Sequence, residues 1–537
     1  MTEKPNLLFL FSDQHSARTL GCYGNAEVRT PHLDRLARDG VRFTNACTNN
    51  PICTPSRMSF LSGQYPHNHG YWGLQGRNPS SLPNLFSHFR RHGYTTGWAG
   101  KSHTPPLWLS QSCDFFADAM GYEKITSIQE TGMFQGLQGR SDDDYSLYLE
   151  RKGLLDRRED KILKEQYERF GQTMGQGVDA KCSTLPEDET VEAWIASQTE
   201  GFIEAARTSR KPFAFWMTMP HPHQTYAPAK RFWELYDEAS LTLPPNADDP
   251  MEGRHRISRE MQRYFQDSMD WRLYKPDDWE SSRRRVLRGY YACVSQVDDA
   301  IGRVLGRLDA LGIREDTIVV YSSDHGDFAG EHGMIEKAPG IGFGCITRIP
   351  FICSYPSLPK GAVRDSMIES VDFLPTVCAL AGLPPPDWVD GVDLTPALMG
   401  NASVKDFAVT ENPLSKTIHT KKYKLTQYLP EMCGGASFGE LYDLHEDPWE
   451  LRNLYSDEGY RKVLHELQSE IYGWLIRTSR HVTMNPAPLV WRGTDYHSWD
   501  VADQLYDEDG LIGRNYLAKV IEKGGDISCG TKMYNYL

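Results

Sequence analysis

The stretch Asn50-Pro51-Ile52-Cys53-Thr54-Pro55-Ser56-Arg57-Met58-Ser59-Phe60-Leu61-Ser62-Gly63 combines a sulfur, a fixed cation and a helix start. Thr54 and Pro55 read as an N-cap and a first helical position, and Gly63 as the stop. Cys53 then sits just before a helix N-terminus, where N–H groups without helical partners favour negative charge. Arg57 adds a cation one turn later. The other residues able to do chemistry recur at one kind of place. Asp13 and Gln14 follow the apolar run 6–11, Lys101 and His103 follow 94–99, and His221 and His223 follow 212–219. Asp324 and His325 follow 316–323, with Lys337 in a Gly-rich loop beyond them. Two carboxylates and an imidazole make a mostly oxygen-ligated site for a divalent cation. The remaining cations would surround a tetrahedral anion.

These positions require strands. The run 6–11 is continuously apolar from Leu7, which suits a strand buried on both faces of a parallel sheet, and 94–99, 212–219 and 316–323 read as further strands. Open α/β sheets place their ligands beyond the carboxyl ends of such strands. Lys101 and His103 are two residues apart, so in an extended segment they face the same side. A fifth strand is read at 348–352. Helices are read at 30–36, 82–91, 190–206 and 371–381, and a long one from Val286, where apolar residues repeat at helical spacing through Leu308. Residues 110–190 and 240–282 read as polar insertions. From about 405, four short strands at 407–410, 417–420, 423–425 and 440–444 predict a small antiparallel sheet, covered by a helix at 461–477. The expected architecture is α/β. A large, mostly parallel central sheet flanked by helices occupies 1–400, and a small C-terminal α+β subdomain occupies 401–480. An extension, 481–537, caps the active site or reaches a second subunit.

Cys53-Thr54-Pro55-Ser56-Arg57, followed by Leu61-Ser62-Gly63, resembles the modification motif of the sulfatases. Across most of residues 5–455 the chain is similar to the type I, formylglycine-dependent sulfatases of the alkaline-phosphatase-like superfamily. The resemblance implies that a formylglycine-generating enzyme oxidises Cys53 to formylglycine, whose hydrated aldehyde is the nucleophile. It implies one divalent metal on Asp13, Cys53 and Asp324. Gln14 stands where many sulfatases carry a second Asp, and His325 where many carry Asn. Both variants look like those of choline sulfatases and phosphonate monoester hydrolases. Calcium is the family habit, and an imidazole ligand also admits manganese or zinc. Arg57 matches the Arg that supports the nucleophile. Lys101, His103, His221 and Lys337 match residues that bind the substrate anion and move protons, with His221 the first choice to protonate the leaving group. The implied reaction is hydrolysis of a sulfate ester. The alternative is a phosphonate monoester or phosphodiester hydrolase with the same nucleophile.

Composition narrows the partners. The net charge of −14 over 537 residues argues against nucleic acid. The eleven Cys show no CxxC pair and no regular spacing, so neither a disulfide framework nor a zinc ribbon is indicated. No apolar run approaches a membrane span and the first residues lack the pattern of a signal peptide, so a cytoplasmic location is expected. Trp72, Arg77, Asn78 and His223 are candidate contacts for a small-molecule ester. The aromatic tail suggests a homo-oligomer.

Overall fold

The computed structural model describes residues 4–74, 82–104, 112–117, 119, 143–158, 180–224, 226–267, 279–338, 340–400, 403–430 and 438–480. The candidates Arg77 and Asn78 and the extension 481–537 lie outside these residues.

Eight strands form the large sheet: β1 Asn6–Asp13, β2 Val41–Cys47, β3 Thr95–Gly100, β4 Phe115–Ala117, β5 Phe213–Pro222, β6 Thr317–Ser323, β7 Phe351–Ser354 and β8 Ala362–Glu369. Their order is β4-β3-β5-β1-β6-β7-β2-β8. Neighbours from β4 to β6 run parallel, as do β2 and β8, whereas β7 is antiparallel to both β6 and β2. The central strand β1 shows why the sequence folds this way. Leu7, Phe9 and Phe11 enter the apolar cluster on one face, with Phe60, Trp216 and Phe373, and Leu8 and Leu10 enter the cluster on the other, with Trp194, Ile301 and Val304. A strand whose alternate side chains are both buried must be apolar at every position. The helices Val191–Ser209 and Trp279–Leu311 cover one face, and Cys53–Ser62, Leu85–Arg91 and Phe373–Leu380 cover the other.

The second sheet is antiparallel, with β9 Phe407–Asn412, β10 Ser415–Thr420, β11 Tyr423–Tyr428 and β12 Gly439–Asp443 in the order β12-β11-β10-β9. The helix Arg461–Thr478 packs on it through Leu467 and Trp474.

Several local expectations are corrected. The strands β2, β4 and β8 were not expected, and β7 begins three residues later than the expected start at Arg348. The 110–190 insertion contributes β4 to the sheet edge and buries Tyr145 and Leu149. The nucleophile helix begins at Cys53 itself, with Ile52 in the cap position. Thr54 does not cap it; its Oγ1 donates to His103 O at 2.9 Å. Gly63 ends the helix at φ 69°, a conformation that costs glycine little. Among the described residues no helix is long and apolar enough to cross a membrane.

Candidate active site

Strands β3, β5, β1 and β6 are consecutive parallel neighbours, so their carboxyl ends form one rim. Asp13 ends β1, Lys101 follows β3, and Asp324 and His325 follow β6. The Cys53–Ser62 helix points its first residue at that rim. Ligand atoms of Asp13, Cys53, Asp324 and His325 all lie within 4.8 Å of one another, and all four residues are buried. Cys53 Sγ is 3.2 Å from His325 Nε2 and 3.7 Å from Asp13 Oδ1. His325 Nδ1–H is 2.8 Å from Gly326 O, which leaves Nε2 as the lone-pair nitrogen facing the cluster. Two carboxylates, an imidazole nitrogen and a sulfur position converging in this volume fit a divalent cation.

Arg57 ties the carboxylates together. Its Nη2 is 2.8 Å from Asp13 Oδ2 and its Nε is 2.8 Å from Asp324 Oδ2, with all three side chains fully buried. The third corner of the guanidinium donates to Lys101 O and Thr218 Oγ1. Lys101 Nζ reaches the same Asp13 oxygen at 2.7 Å. Burial alone would raise the Asp13 pKa, but Lys101 and Arg57, with His223 and His325, outweigh it and hold the carboxyl well below its usual range. Burial, reinforced by Asp13, pushes the Cys53 thiol up to about 12 against the pull of Lys337 and Lys101. Burial also lowers His325 to about 4.

Lys337, with the imidazoles of His223 and His103, forms a second group at the rim. Lys337 Nζ donates to Gln14 Oε1 at 3.0 Å and lies 3.2 Å from His223 Nε2. His223 Nδ1–H faces Gln224 O at 2.8 Å, so Nε2 accepts from Lys337. Burial, then Lys337 and Lys101, holds His223 well below its ordinary pKa. His103 is lowered in the same way by burial, Lys101 and Arg57. Burial opposes the charge of Lys337, but Cys53, Glu336, Asp13 and Asp324 outweigh it and its pKa is raised. Gln14 sits at φ 66° with its N–H on Asp324 Oδ1 at 2.9 Å and its amide nitrogen on Asp327 Oδ2 at 2.6 Å. Its side chain thus links Lys337 to Asp327, while its backbone N–H holds Asp324 of the cluster.

One candidate moves. His221 Nδ1 lies 2.9 Å from the buried Glu192 Oε1, on the helix that covers the far face, whereas His223 stands beside Lys337. The cause is a break in register: Ser12 pairs with Met219, but Asp13 pairs with Pro222. The extra residues bulge out of β5 and end the two-residue alternation before His221. Trp72 is half-buried on the loop after the Cys53 helix, with Lys416 Nζ of β10 4.6 Å from its ring centroid. Sequence reasoning missed Glu336, Gln224 and Asp327. Glu336 Oε1 is 3.7 Å from Lys337 Nζ, Gln224 donates to it, and Asp327 is buried and holds Gln14. The only signal for Glu336 was a charge adjacent to Lys337.

Among known proteins the chain is similar to named sulfatases. The choline-sulfatase of Rhizobium meliloti is 28% identical over 84% of this chain and 83% of its own length. The N-acetylglucosamine-6-O-sulfatase of Bacteroides thetaiotaomicron is 24% identical over 87% and 85%. The crystal structure of a phosphonate monoester hydrolase from Agrobacterium radiobacter superposes with a TM-score of 0.69, covering 89% of this chain and 96% of that one at 20% identity, a likeness of fold alone. The family profile described as N-sulphoglucosamine sulphohydrolase, C-terminal, matches residues 330–475, and the Sulfatase profile matches 5–383. With Asp13, Asp324 and His325 gathered around Cys53 at one rim, the chain belongs to the sulfatase family of sulfuric ester hydrolases, within the alkaline-phosphatase-like superfamily.

Proposed function

We propose that the chain hydrolyses a sulfate monoester to inorganic sulfate and an alcohol, with residue 53 acting as formylglycine after maturation by a formylglycine-generating enzyme. The observation that carries this reading is the convergence of Asp13, Cys53, Asp324 and His325 within 4.8 Å, flanked by Lys101 and Lys337. Those four residues, with Gln14 beside them, would hold one divalent ion. Calcium suits the oxygen donors, and manganese or zinc are the alternatives that the imidazole admits. When bound, the ion supplies positive charge that makes a hydroxyl at position 53 more acidic and offsets charge on the ester oxygens.

The chain's own residues do the rest. Lys101 and Lys337 bind the ester oxygens, whose shared negative charge otherwise repels a nucleophile. Arg57 fixes the spacing of Asp13 and Asp324. The Lys337–His223 pair is the proton source for the leaving oxygen, in place of His221. His103, beside Lys101, takes up a proton at position 53. Trp72 is the candidate contact for the alcohol part of the ester.

Turnover of 4-nitrophenyl sulfate, a 4-nitrophenyl phosphonate and a phosphodiester tests the reading, together with the intact mass of the peptide containing residue 53. Sulfate turnover should lead the three, and Cys53→Ala should abolish it. Sulfate as the slowest substrate would point to phosphonate or phosphodiester hydrolysis instead, and an unconverted thiol with wild-type rates in Cys53→Ala would sink the nucleophile.

A further inference from the structure

The loop that delivers Lys337 also delivers a carboxylate. Glu336 is 2% exposed, and its Oε1 lies 3.7 Å from Lys337 Nζ and 3.8 Å from His223 Nε2. The Gln224 amide donates to the same oxygen. The position is built by its surroundings. Glu336 N donates to Asp327 Oδ1 at 3.0 Å, Glu336 O accepts from Phe328 N at 2.8 Å, and φ is 61°. A non-glycine residue keeps that left-handed conformation only where neighbours hold it. An anion bonded to Lys337 Nζ would stand within roughly 7 Å of Glu336 Oε1, given ordinary hydrogen-bond lengths. A pocket built only to attract anions gains nothing from a negative charge at that range.

We propose that Glu336 is a specificity-determining residue that favours a monoanionic ester over a dianion of the same shape. The inference rests on the reading above, in which Lys337 and His223 face the ester. A sulfate monoester carries one negative charge and inorganic sulfate carries two. Hydrolysis therefore turns a monoanion into a dianion within one pocket, and a fixed carboxylate weakens the product more than the substrate. The same rule disfavours phosphate monoesters, which are largely dianionic near neutrality, relative to phosphodiesters. Coulomb energy is linear in ligand charge. The factor by which Glu336 weakens a dianion is then the square of the factor for a monoanion: about tenfold and about a hundredfold at this separation and partial screening.

The test is calorimetric titration of the matured, metal-loaded chain with inorganic sulfate and with methyl sulfate, which has the same tetrahedral head and one charge fewer. Glu336→Gln should tighten methyl sulfate about tenfold and sulfate about a hundredfold, a tenfold change in their ratio. Glu336→Gly, whose φ of 61° suits glycine, should give the same ratio and serves if the Gln variant does not fold. Glu336→Asp keeps the charge and should keep the ratio near wild type. In turnover, the inhibition constant of sulfate should fall further than the Michaelis constant for the nitrophenyl sulfate ester. A sulfate-to-methyl-sulfate ratio that is unchanged in Glu336→Gln or Glu336→Gly overturns the proposal, because a merely structural role would shift both ligands alike. Absence of sulfate ester turnover in the wild type would defeat the hydrolase reading instead, while the binding ratio would still decide the role of Glu336.

Discussion

Replacing Arg57 by Lys keeps the charge and removes the fork. The guanidinium bonds Asp324 Oδ2 through Nε and Asp13 Oδ2 through Nη2, each at 2.8 Å, and Lys101 O and Thr218 Oγ1 through Nη1. It also sits 5.1 Å from the Phe11 ring centroid and 5.6 Å from that of Trp216, so no water replaces a lost partner cheaply. A lysine has three donors on one atom, and one atom cannot lie on both carboxylates and still reach the β3 and β5 ends. At least two charge-assisted bonds are lost, at about 1.5–3 kcal/mol each. The sum matches the roughly 3–5 kcal/mol expected when a buried ion pair is broken. Urea unfolding of the metal-free chain, followed by tryptophan fluorescence, should show a loss of that size. Repeating it with excess divalent cation should recover part of the loss, because the ion neutralises the carboxylates that Arg57 no longer bridges. A loss below about 1 kcal/mol would refute the argument that the fork holds the two carboxylates together.

Other expectations follow from the same geometry. His223→Ala should lower turnover by about 10²–10⁴-fold while His221→Ala costs much less, since His223 Nε2 lies 3.2 Å from Lys337 Nζ whereas His221 Nδ1 lies 2.9 Å from Glu192; equal losses in steady-state kcat would restore His221 as the proton donor. Gly100 precedes Lys101 at φ 105°, and a Cβ there would stand 1.8 Å from Thr218 O. Gly100→Ala should therefore displace Lys101 and reduce turnover by about 10²–10³-fold, as loss of an oxyanion donor does, and a rate near wild type would show that the strand end tolerates the shift. Burial, with help from Lys424, lowers His419 in the small sheet to about 3, against about 6.5 when unfolded. Its stabilisation is then complete above pH 6.5 and is lost as the pH falls towards 3, at a cost of roughly 2 kcal/mol by pH 5. His419→Gln should flatten the urea midpoint between pH 7 and 5, and an unchanged slope would rule out His419 as a source.

The sequence displayed the strands that carry chemistry because they are the doubly buried ones. Runs such as Leu7–Phe11 and Phe213–Met217 are apolar at every position, and their ends place Asp13 and the segment that carries the histidines. Strand β2 reads Val-Arg-Phe-Thr-Asn-Ala-Cys and β8 reads Ala-Val-Arg-Asp-Ser-Met-Ile-Glu. Both lie near the sheet edge, where polar residues are half-exposed, so neither the continuous nor the alternating pattern stands out. The exchange of His221 for His223 was hidden for a different reason. A bulge is a fact of pairing between β5 and β1, and nothing in Met219-Pro220-His221-Pro222 announces which residues are extruded. The helix start at Cys53 was displaced because Thr54 found a tertiary acceptor in His103 O instead of capping.

The small sheet has a part in the site that its distance in sequence conceals. Glu411 N donates to Asn49 O at 2.7 Å and Thr410 Oγ1 to Thr48 O at 2.5 Å, so β9 braces the segment leading to Cys53. Ser415 Oγ donates to Gly340 O, and Lys424 Nζ to Gly342 O at 2.7 Å. Glu450, paired with Lys424 at 2.8 Å, accepts from Gly344 N at 2.9 Å. Burial opposes that carboxylate, but Lys424 outweighs it and holds Glu450 near 2, so the clamp stays charged through the neutral range. A Cβ at Gly342 would lie 2.3 Å from Thr417 Oγ1, which shows how closely the loop after Lys337 is pressed against β10. The nucleophile segment and the Lys337 loop come from different strands of the large sheet, and each gains its second support from the small one. The spacing between position 53 and Lys337 is therefore a property of both sheets, and a change in β9–β11 that moved either contact would be felt at the ester.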